Sequence, residues 1–348
     1  MIGVVAGSIA TGALRVIECG VGASVAVVDR AGRLRVFLQG DNANPHNLEL
    51  ARRKAKVMEV ATELFVANGY AATSLVDIAR IPGMADITVQ GDEVVIGAAA
   101  RHADVAANAE VMRRIPALAA LAFGIGDRQV RNMGTIGGNL LLDTRCTYYD
   151  QTHEWRESIS FCMKKDGDIC WVAPGSPRCW AVQSSDTVPV VCAMEAEVEL
   201  VGSGGTRRIR ASDLYRDDGI QYLTKQPDEL LTRLFLPAPG AWKASYLKLR
   251  RRDTFDFPVL GVGACLWFDA QGVVTKANIR LGGAGSYAIP AVDSEKLVLG
   301  KQLTDEVIAA AGSAAMKPAR TMDNTDLDVY WRRKVAPVFV ARALRECR

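Results

Sequence analysis

Apolar and polar positions change period several times along the chain, and each change marks an element. Over residues 47–67 the apolar side chains Leu50, Val57, Val60, Ala61, Leu64 and Phe65 recur at helical spacing. Arg52, Arg53, Lys54 and Lys56 fall mostly on the other side, which predicts an amphipathic helix. Ahead of it, β-like runs at 21–28 and 34–38 flank Asp29-Arg30-Ala31-Gly32, which reads as a hairpin turn. After a break at Gly69-Tyr70 and an apolar run over 75–81, residues 87–96 alternate around Gly91-Asp92 and predict a second hairpin. Helices are expected near 104–114 and 117–123, and strand-like runs at 188–191, 196–201, 244–249, 261–268 and 277–281. Helices at 304–316 and 329–345 close the chain. Between the two halves lie a glycine-rich turn, Gly134-Thr135-Ile136-Gly137-Gly138-Asn139, and a polar, turn-rich stretch from Cys146 to Cys179. A loop this long inside a compact protein is usually functional or disordered.

Composition narrows the class. With 348 residues, 49% of them hydrophobic, the chain can bury a substantial core and by length should hold two or three domains. Its net charge of +3 arises from 42 basic and 39 acidic side chains spread along the whole length, so no concentrated footprint for nucleic acid is present. The longest apolar stretches, 1–14 and 116–126, are shorter than the roughly 20 residues a membrane-spanning helix needs. The first residues also lack the basic opening of a secretory signal, and a cytoplasmic location is expected. Cytosolic thiols stay reduced, and a cysteine cluster there more often binds metal or does chemistry than forms disulfides.

Four of the eight cysteines, Cys146, Cys162, Cys170 and Cys179, fall in one segment at separations of 16, 8 and 9. Four thiolates are what a cubane cluster needs, one on each iron. Zinc also accepts four thiolates, but structural zinc sites draw ligands in pairs two to four residues apart, and none of these cysteines is that close to another. Unconnected buried thiols and a redox disulfide remain open on local chemistry alone. His153 reads as a surface or supporting residue, and Cys19, Cys192, Cys265 and Cys347 as small buried hydrophobes. The glycine turn can bring backbone N–H groups close to a pyrophosphate, although Gly-Gly turns serve purely structural loops about as often. Ser184-Ser185-Asp186, just after the cysteine segment, brackets the same insertion from the other side.

At these residues a resemblance becomes specific. Arg131-Asn132-Met133-Gly134-Thr135-Ile136-Gly137-Gly138-Asn139-Leu140 resembles the second flavin loop of the FAD-binding subunits of the xanthine dehydrogenase and carbon monoxide dehydrogenase superfamily. The resemblance implies that Thr135, Ile136, Gly137, Gly138 and Asn139 lie at the FAD pyrophosphate and that Asp143 also belongs to the cofactor site. It further implies that Ser185-Asp186 helps hold the cofactor, and that Lys248, in Tyr246-Leu247-Lys248, approaches the flavin. Asp253 to Pro258 resembles the segment that follows. Most members run straight from the glycine loop to the Ser-Asp pair. A long insertion with four cysteines resembles the medium subunit of 4-hydroxybenzoyl-CoA reductases, and with Asp143-Thr144-Arg145-Cys146 it implies a 4Fe-4S cluster on Cys146, Cys162, Cys170 and Cys179. The similarity runs over 75–348, including Asp326-Leu327-Asp328-Val329-Tyr330-Trp331-Arg332-Arg333-Lys334.

The front of the chain departs from that pattern. Where the family places its first flavin loop stands Arg52-Arg53-Lys54-Ala55-Lys56, without glycine, and the nearest glycine-rich substitute is Cys19-Gly20-Val21-Gly22-Ala23-Ser24. Residues 51–79 instead resemble the opening of tetracycline-repressor-type regulators. Ile81-Pro82-Gly83-Met84 and a strand pattern then replace the recognition helix, so DNA binding is not expected. The expected fold is α+β: residues 1–74 an atypical N-terminal region, 75–238 an FAD-binding domain with a cluster loop at 143–183, and 239–348 a C-terminal flavoprotein domain. The resemblance implies an oxidoreductase subunit with FAD and a 4Fe-4S cluster and no catalytic residue of its own. It would relay electrons among a molybdenum-cofactor subunit, a 2Fe-2S subunit and an external electron carrier, in a heterotrimer that can itself dimerise. A subunit of a related aromatic or heterocycle hydroxylase, and a cluster-binding protein that has lost FAD, are the rival expectations.

Overall fold

The computed structural model describes residues 15–19, 24–28, 34–39, 78–237, 240–252 and 255–348. The chain divides into two compact units, residues 1–80 with 226–229, and residues 81–225 with 230–348. In the first, β1 (Arg15–Cys19), β2 (Ser24–Val28) and β3 (Leu34–Gln39) form an antiparallel sheet, with Arg15 opposite Val28 and Ser24 opposite Gln39. The predicted hairpin is therefore present, with one further strand ahead of it. The helix expected over 47–67, the Asp29–Gly32 turn, the stretch at 52–56, Gly20 to Ala23 of the possible substitute loop, and Asp253 lie outside the described residues.

In the second unit, residues 81–85 make a turn and the chain enters strands, as the alternation over 87–96 predicts. The hairpin β4 (Ile87–Gln90) and β5 (Glu93–Gly97) pairs Gln90 with Glu93 around Gly91, whose φ of 59° suits a residue without Cβ. Short helices follow: α1 (His102–Ala107), α2 (Ala109–Arg114), α3 (Pro116–Gly124), α4 (Arg128–Met133) and α5 (Ile136–Leu140). Asn108, Asp127 and Thr135 cap α2, α4 and α5 by accepting first-turn N–H groups on their side chains. Within the cysteine stretch lies α6 (His153–Ser158).

Residues 188–191 form no strand. They lie in α7 (Thr187–Ala193), every residue of which is buried. A fully buried apolar run carries no periodicity to separate strand from helix, and Pro189 sits in the first turn, where a missing N–H costs nothing. Asn139 Oδ1 accepts from the Thr187 N–H at 3.1 Å and Ser185 Oγ from the Val188 N–H at 3.2 Å, so side chains supply the helix start.

Strands β6 (Glu197–Gly202), β7 (Gly205–Arg210) and β8 (Leu230–Leu236) join β4 and β5 in a five-stranded sheet of order β4-β5-β8-β6-β7. The second sheet has the order β12-β11-β10-β9, from β9 (Trp242–Leu249), β10 (Leu260–Phe268), β11 (Val274–Gly282) and β12 (Ile289–Pro290). Each pairing in both sheets is antiparallel. Helices α8 (Val292–Val298), α9 (Asp305–Ala314) and α10 (Val329–Glu346) follow, and α10 packs on β9 and β10. Helix α7 lies against β10 and β11 at close range, because a Cβ on Gly263 would sit 2.6 Å from the Pro189 backbone. Among the described residues, no helix is long and apolar enough to cross a membrane.

Among the described residues, Arg332 is the largest fully buried side chain, and its guanidinium donates to the carbonyls of Val259, Gly283 and Met322. Val259 and Gly283 flank the paired ends of β10 and β11, where Gly261 stands opposite Gly282, and Met322 lies in a separate segment, so one side chain ties all three carbonyls together. Replacing Arg332 with Leu leaves them buried and unpaired, which should cost about 3 to 5 kcal/mol. Denaturant titration of wild type and variant measures this, and a loss below about 1 kcal/mol would mean that the carbonyls find other partners.

Candidate functional site

The glycine loop is tied to the segment after β5. Ile136 and Gly137 donate to the carbonyls of Ala100 and Ala98 at 2.9 and 2.8 Å, and His102 donates its backbone N–H to Gly134 at 3.0 Å. A Cβ on Gly137 would lie 2.6 Å from the Ala98 Cβ, so this glycine permits internal packing. Gly138 is exposed, and its N–H donates to Thr135 Oγ1 at 3.1 Å. Asn139 donates its N–H to the Thr135 carbonyl. The first-turn N–H groups are thus used internally rather than held open as an anion nest. What the loop offers outward is a bare Gly138 backbone and the Thr135 hydroxyl.

Asn139 joins the loop to the Ser-Asp pair, its Oδ1 accepting from Ser185 Oγ at 2.6 Å and from the Thr187 N–H. Asp186 is buried and accepts from Tyr246 Oη at 2.7 Å and Lys248 Nζ at 3.0 Å. Burial raises the Asp186 pKa, opposed by the Lys248 charge and the hydrogen bonds. Thr135, Gly137, Gly138, Asn139, Ser185, Asp186 and Lys248 therefore belong to one connected region, with Ile136 buried beneath the loop. Tyr246 belongs to it as well. Seven buried side-chain atoms among the described residues lack a partner, and Gln183 Nε2, Ser184 Oγ and Thr187 Oγ1 account for three of them within five residues. Orphaned polar atoms clustered beside an open glycine turn suit a polar cofactor that supplies the missing partners.

The cysteine stretch closes on itself where Arg145 and Val182 exchange backbone hydrogen bonds of 2.8 and 2.7 Å. Beyond this neck, Ala181 accepts from Ser286 Oγ, Trp180 accepts from Asn324 Nδ2, and Gln183 pairs with Gly283 and Gly285. The Arg145 guanidinium stacks 3.9 Å from the centre of the Phe257 ring. Inside the loop, Ser160, Phe161 and Asp166 have φ of 60°, 58° and 69°, and the Cys162 carbonyl accepts from the N–H groups of Lys165 and Gly167. This tight turn costs backbone strain and fixes Cys162. All four cysteines are buried and line one small cavity. A hydrogen bond between two of them holds Cys170 down to about 5 and raises Cys179, while burial pushes Cys146 up to about 12. Among the described residues, no three His, Cys, Asp or Glu side chains stand where one ion could bind them together. His153 is exposed and meets Phe161 edge-on, outside the cavity. Cys192, Cys265 and Cys347 are buried elsewhere as small hydrophobes.

Between the glycine loop and the cysteines stands a junction that the sequence did not reveal. Lys164 Nζ donates to Asp143 Oδ1 at 3.0 Å, Thr144 Oγ1 at 2.7 Å and the Gly219 carbonyl at 2.7 Å. Tyr222 meets Asp143, and Gly219 donates its N–H to the Cys179 carbonyl. Asp143, expected at the cofactor site, is thus bound to the cysteine loop through Lys164.

Fold and site together define a flavin-domain architecture with an added thiol site. The sequence profile of the FAD binding domain in molybdopterin dehydrogenase matches residues 46–239, more than half of the chain, and that of the CO dehydrogenase flavoprotein C-terminal domain matches 244–347. The chain belongs to this family of molybdopterin dehydrogenase flavoproteins. The profile begins at residue 46, ahead of the resemblance seen from residue 75. The 6-hydroxypseudooxynicotine dehydrogenase complex subunit alpha of Paenarthrobacter nicotinovorans is 26% identical over 78% of each chain. The carbon monoxide dehydrogenase medium chain of Hydrogenophaga pseudoflava is 28% identical over 78% of this chain and 80% of that one. A solved structure of carbon monoxide dehydrogenase from the same organism superposes with a TM-score of 0.60 at 26% identity, covering 78% of this chain and 80% of that one.

His102 gives this region a pH dependence. It is buried against Gly134, its Nδ1 has no partner, and burial, followed by the charge of Arg131, lowers its pKa from 6.5 to about 4. A depressed folded-state pKa means that the unfolded chain binds the proton first. The stability is fully present above pH 6.5 and drains away as pH falls toward 4, by about 3 kcal/mol. Denaturation curves across that window should be flatter for His102→Gln than for wild type, and parallel curves would remove His102 as the cause.

Proposed function

We propose that this chain is the flavin and iron-sulfur subunit of a molybdenum-containing oxidoreductase of the 4-hydroxybenzoyl-CoA reductase type, binding FAD and one 4Fe-4S cluster. The observation that carries the proposal is the convergence of Cys146, Cys162, Cys170 and Cys179 on one buried cavity, from a loop rooted between the two halves of the flavin region. The donor chemistry fits a cubane, which takes one thiolate per iron from four spaced points.

Thr135, Gly137, Gly138 and Asn139 would hold the FAD pyrophosphate, with Asp143, Ser185, Asp186 and Lys248 placing the rest of the cofactor. When bound, FAD and the cluster supply two-electron and one-electron carriers to a complex whose substrate chemistry resides on a partner bearing molybdenum. The protein's part is to fix their positions and exclude water. The neck at Arg145 and Val182 holds the thiols in register, and the buried Asp186–Lys248–Tyr246 group presents a fixed array of donors. A 2Fe-2S subunit and an external carrier complete the relay in a heterotrimer. A hydroxylase or dehydrogenase with electrons flowing outward is the second reading, favoured by relatives named nicotinate dehydrogenase FAD-subunit and aldehyde oxidoreductase FAD-binding subunit.

Anaerobically purified complex should contain about four iron and four sulfide per chain beyond the partner's 2Fe-2S content. Serine at any of the four loop cysteines should reduce that content, and serine at Cys347 should not. Zinc in place of iron, or four loop variants with undiminished iron, would sink the cluster assignment. Gly138→Ala tests the flavin assignment separately, because Gly138 is exposed and an added Cβ meets only Thr135 Oγ1, at 3.1 Å. The variant should fold normally yet bind FAD at least about tenfold more weakly, a loss of one oriented contact or more. Stoichiometric FAD after gel filtration would show that the cofactor does not pass over this loop.

A further inference from the structure

Among the described residues, ten line the cysteine cavity, and Lys164 is the one lysine, arginine or carboxylate side chain of the ten. Its ammonium is nearly inaccessible, with 6% of the side chain exposed, against 22% for its partner Asp143. All three N–H donors are spent: on Asp143, on Thr144 Oγ1, and on the Gly219 carbonyl. Tyr149 and Tyr222 flank the charge with ring centres at 5.0 and 5.6 Å, so its sides meet aromatic faces rather than water. On the far side of the junction, Gly219 packs so tightly on Cys179 that an added Cβ would stand 2.6 Å from the sulfur. The ammonium is therefore rigidly held, desolvated and adjacent to the thiols, without donating a hydrogen bond to any of them.

Burying a lysine is costly unless the charge has work to do, and a single half-shielded carboxylate offsets only part of that cost. Four cysteinates give a cubane site a net negative charge that grows by one when an electron enters. A cation fixed in a low-dielectric wall favours the more negative state. We propose that Lys164 is the resident counter-charge of the four-cysteine site, raising its reduction potential and at the same time clamping the Cys162 limb to Asp143 and Thr144. Lys164 is a positioning and tuning residue with no contact to substrate. The inference rests on the cluster assigned above.

The test is an EPR-monitored redox titration of the anaerobically purified complex, with iron and sulfide assayed on the same samples, for wild type, Lys164→Gln and Lys164→Arg. Lys164→Gln keeps hydrogen-bonding capacity and removes the charge. At the wild-type midpoint its ratio of reduced to oxidised cluster should fall about tenfold, whereas Lys164→Arg, which keeps the charge, should stay within about twofold. A purely structural role would lower occupancy in both variants and leave the potential of the remaining cluster unmoved. A loaded Lys164→Gln complex with wild-type potential overturns the proposal while the cluster stands. Equal potential shifts in the two variants, or loss of the cluster from both, also overturn it, since charge is then not what matters. Loss from Lys164→Gln alone supports it. Wild-type complex with no iron and sulfide beyond the partner's 2Fe-2S content overturns the cluster assignment itself, a result that the Lys164 variants cannot produce.

Discussion

Four thiols separated by 16, 8 and 9 residues can share a cavity only if the chain between them is anchored at its root, and the reciprocal pairing of Arg145 with Val182 provides that anchor. Without it, residues 146–181 would be a long excursion whose only helix has six residues. Closing such a loop costs entropy that grows slowly with length, and most of it is met once at the neck. The remaining order comes from local turns, each too weak alone to hold a thiol in place. The neck is held in turn by the second half of the unit, through Ser286, Asn324 and Gly285. Arg332, by gathering the carbonyls of Val259, Gly283 and Met322, fixes the backbone from which those contacts are made.

Three buried charges recur where segments meet: Arg332 alone among carbonyls, Lys248 on Asp186, and Lys164 on Asp143. Well-packed apolar side chains in such places would often be as stable or more so. What a charge adds is direction, because an ammonium or guanidinium satisfied by several named acceptors admits one arrangement and penalises others. A site that must hold separate elements in fixed relation gains from that selectivity even where the net contribution to stability is small.

Much of this was legible in the chain. The hairpin around Gly91, the strands of the second half and the closing helices follow from apolar runs bounded by turn residues and from helical spacing, with β4 alternating between half-buried and exposed positions and β10 buried over its first seven residues. Helix α7 was misread as a strand because all of its faces are buried, leaving no contrast for a period to show. The four cysteines announced a site by type and clustering, but Lys164 did not. In sequence it is one of two adjacent lysines in a polar loop, and its neighbour Lys165 is 57% exposed. Only the fold, by bringing Asp143 and Gly219 to it, separates the two. Tyr246 and His102 were likewise silent, since an aromatic or a lone histidine in an apolar segment reads as core.

The glycine loop is built differently from what its paired glycines suggest. Paired glycines suggest a nest of free N–H donors, yet here the donors of residues 136–139 are each used within the protein. Gly137 is small because Ala98 lies against it, a packing reason, and only Gly138 turns its bare backbone outward. The loop therefore cannot hold an anion by backbone donors alone. It must work with the polar groups that Asn139 ties to it, the Ser185-Asp186 pair and the unpartnered atoms of Gln183, Ser184 and Thr187. Those groups lie on the return limb of the cysteine loop, directly after its neck. The polar wall beside the glycine turn is consequently built by the same stretch of chain that closes the thiol cavity, so the two sites share one piece of backbone and cannot be ordered independently.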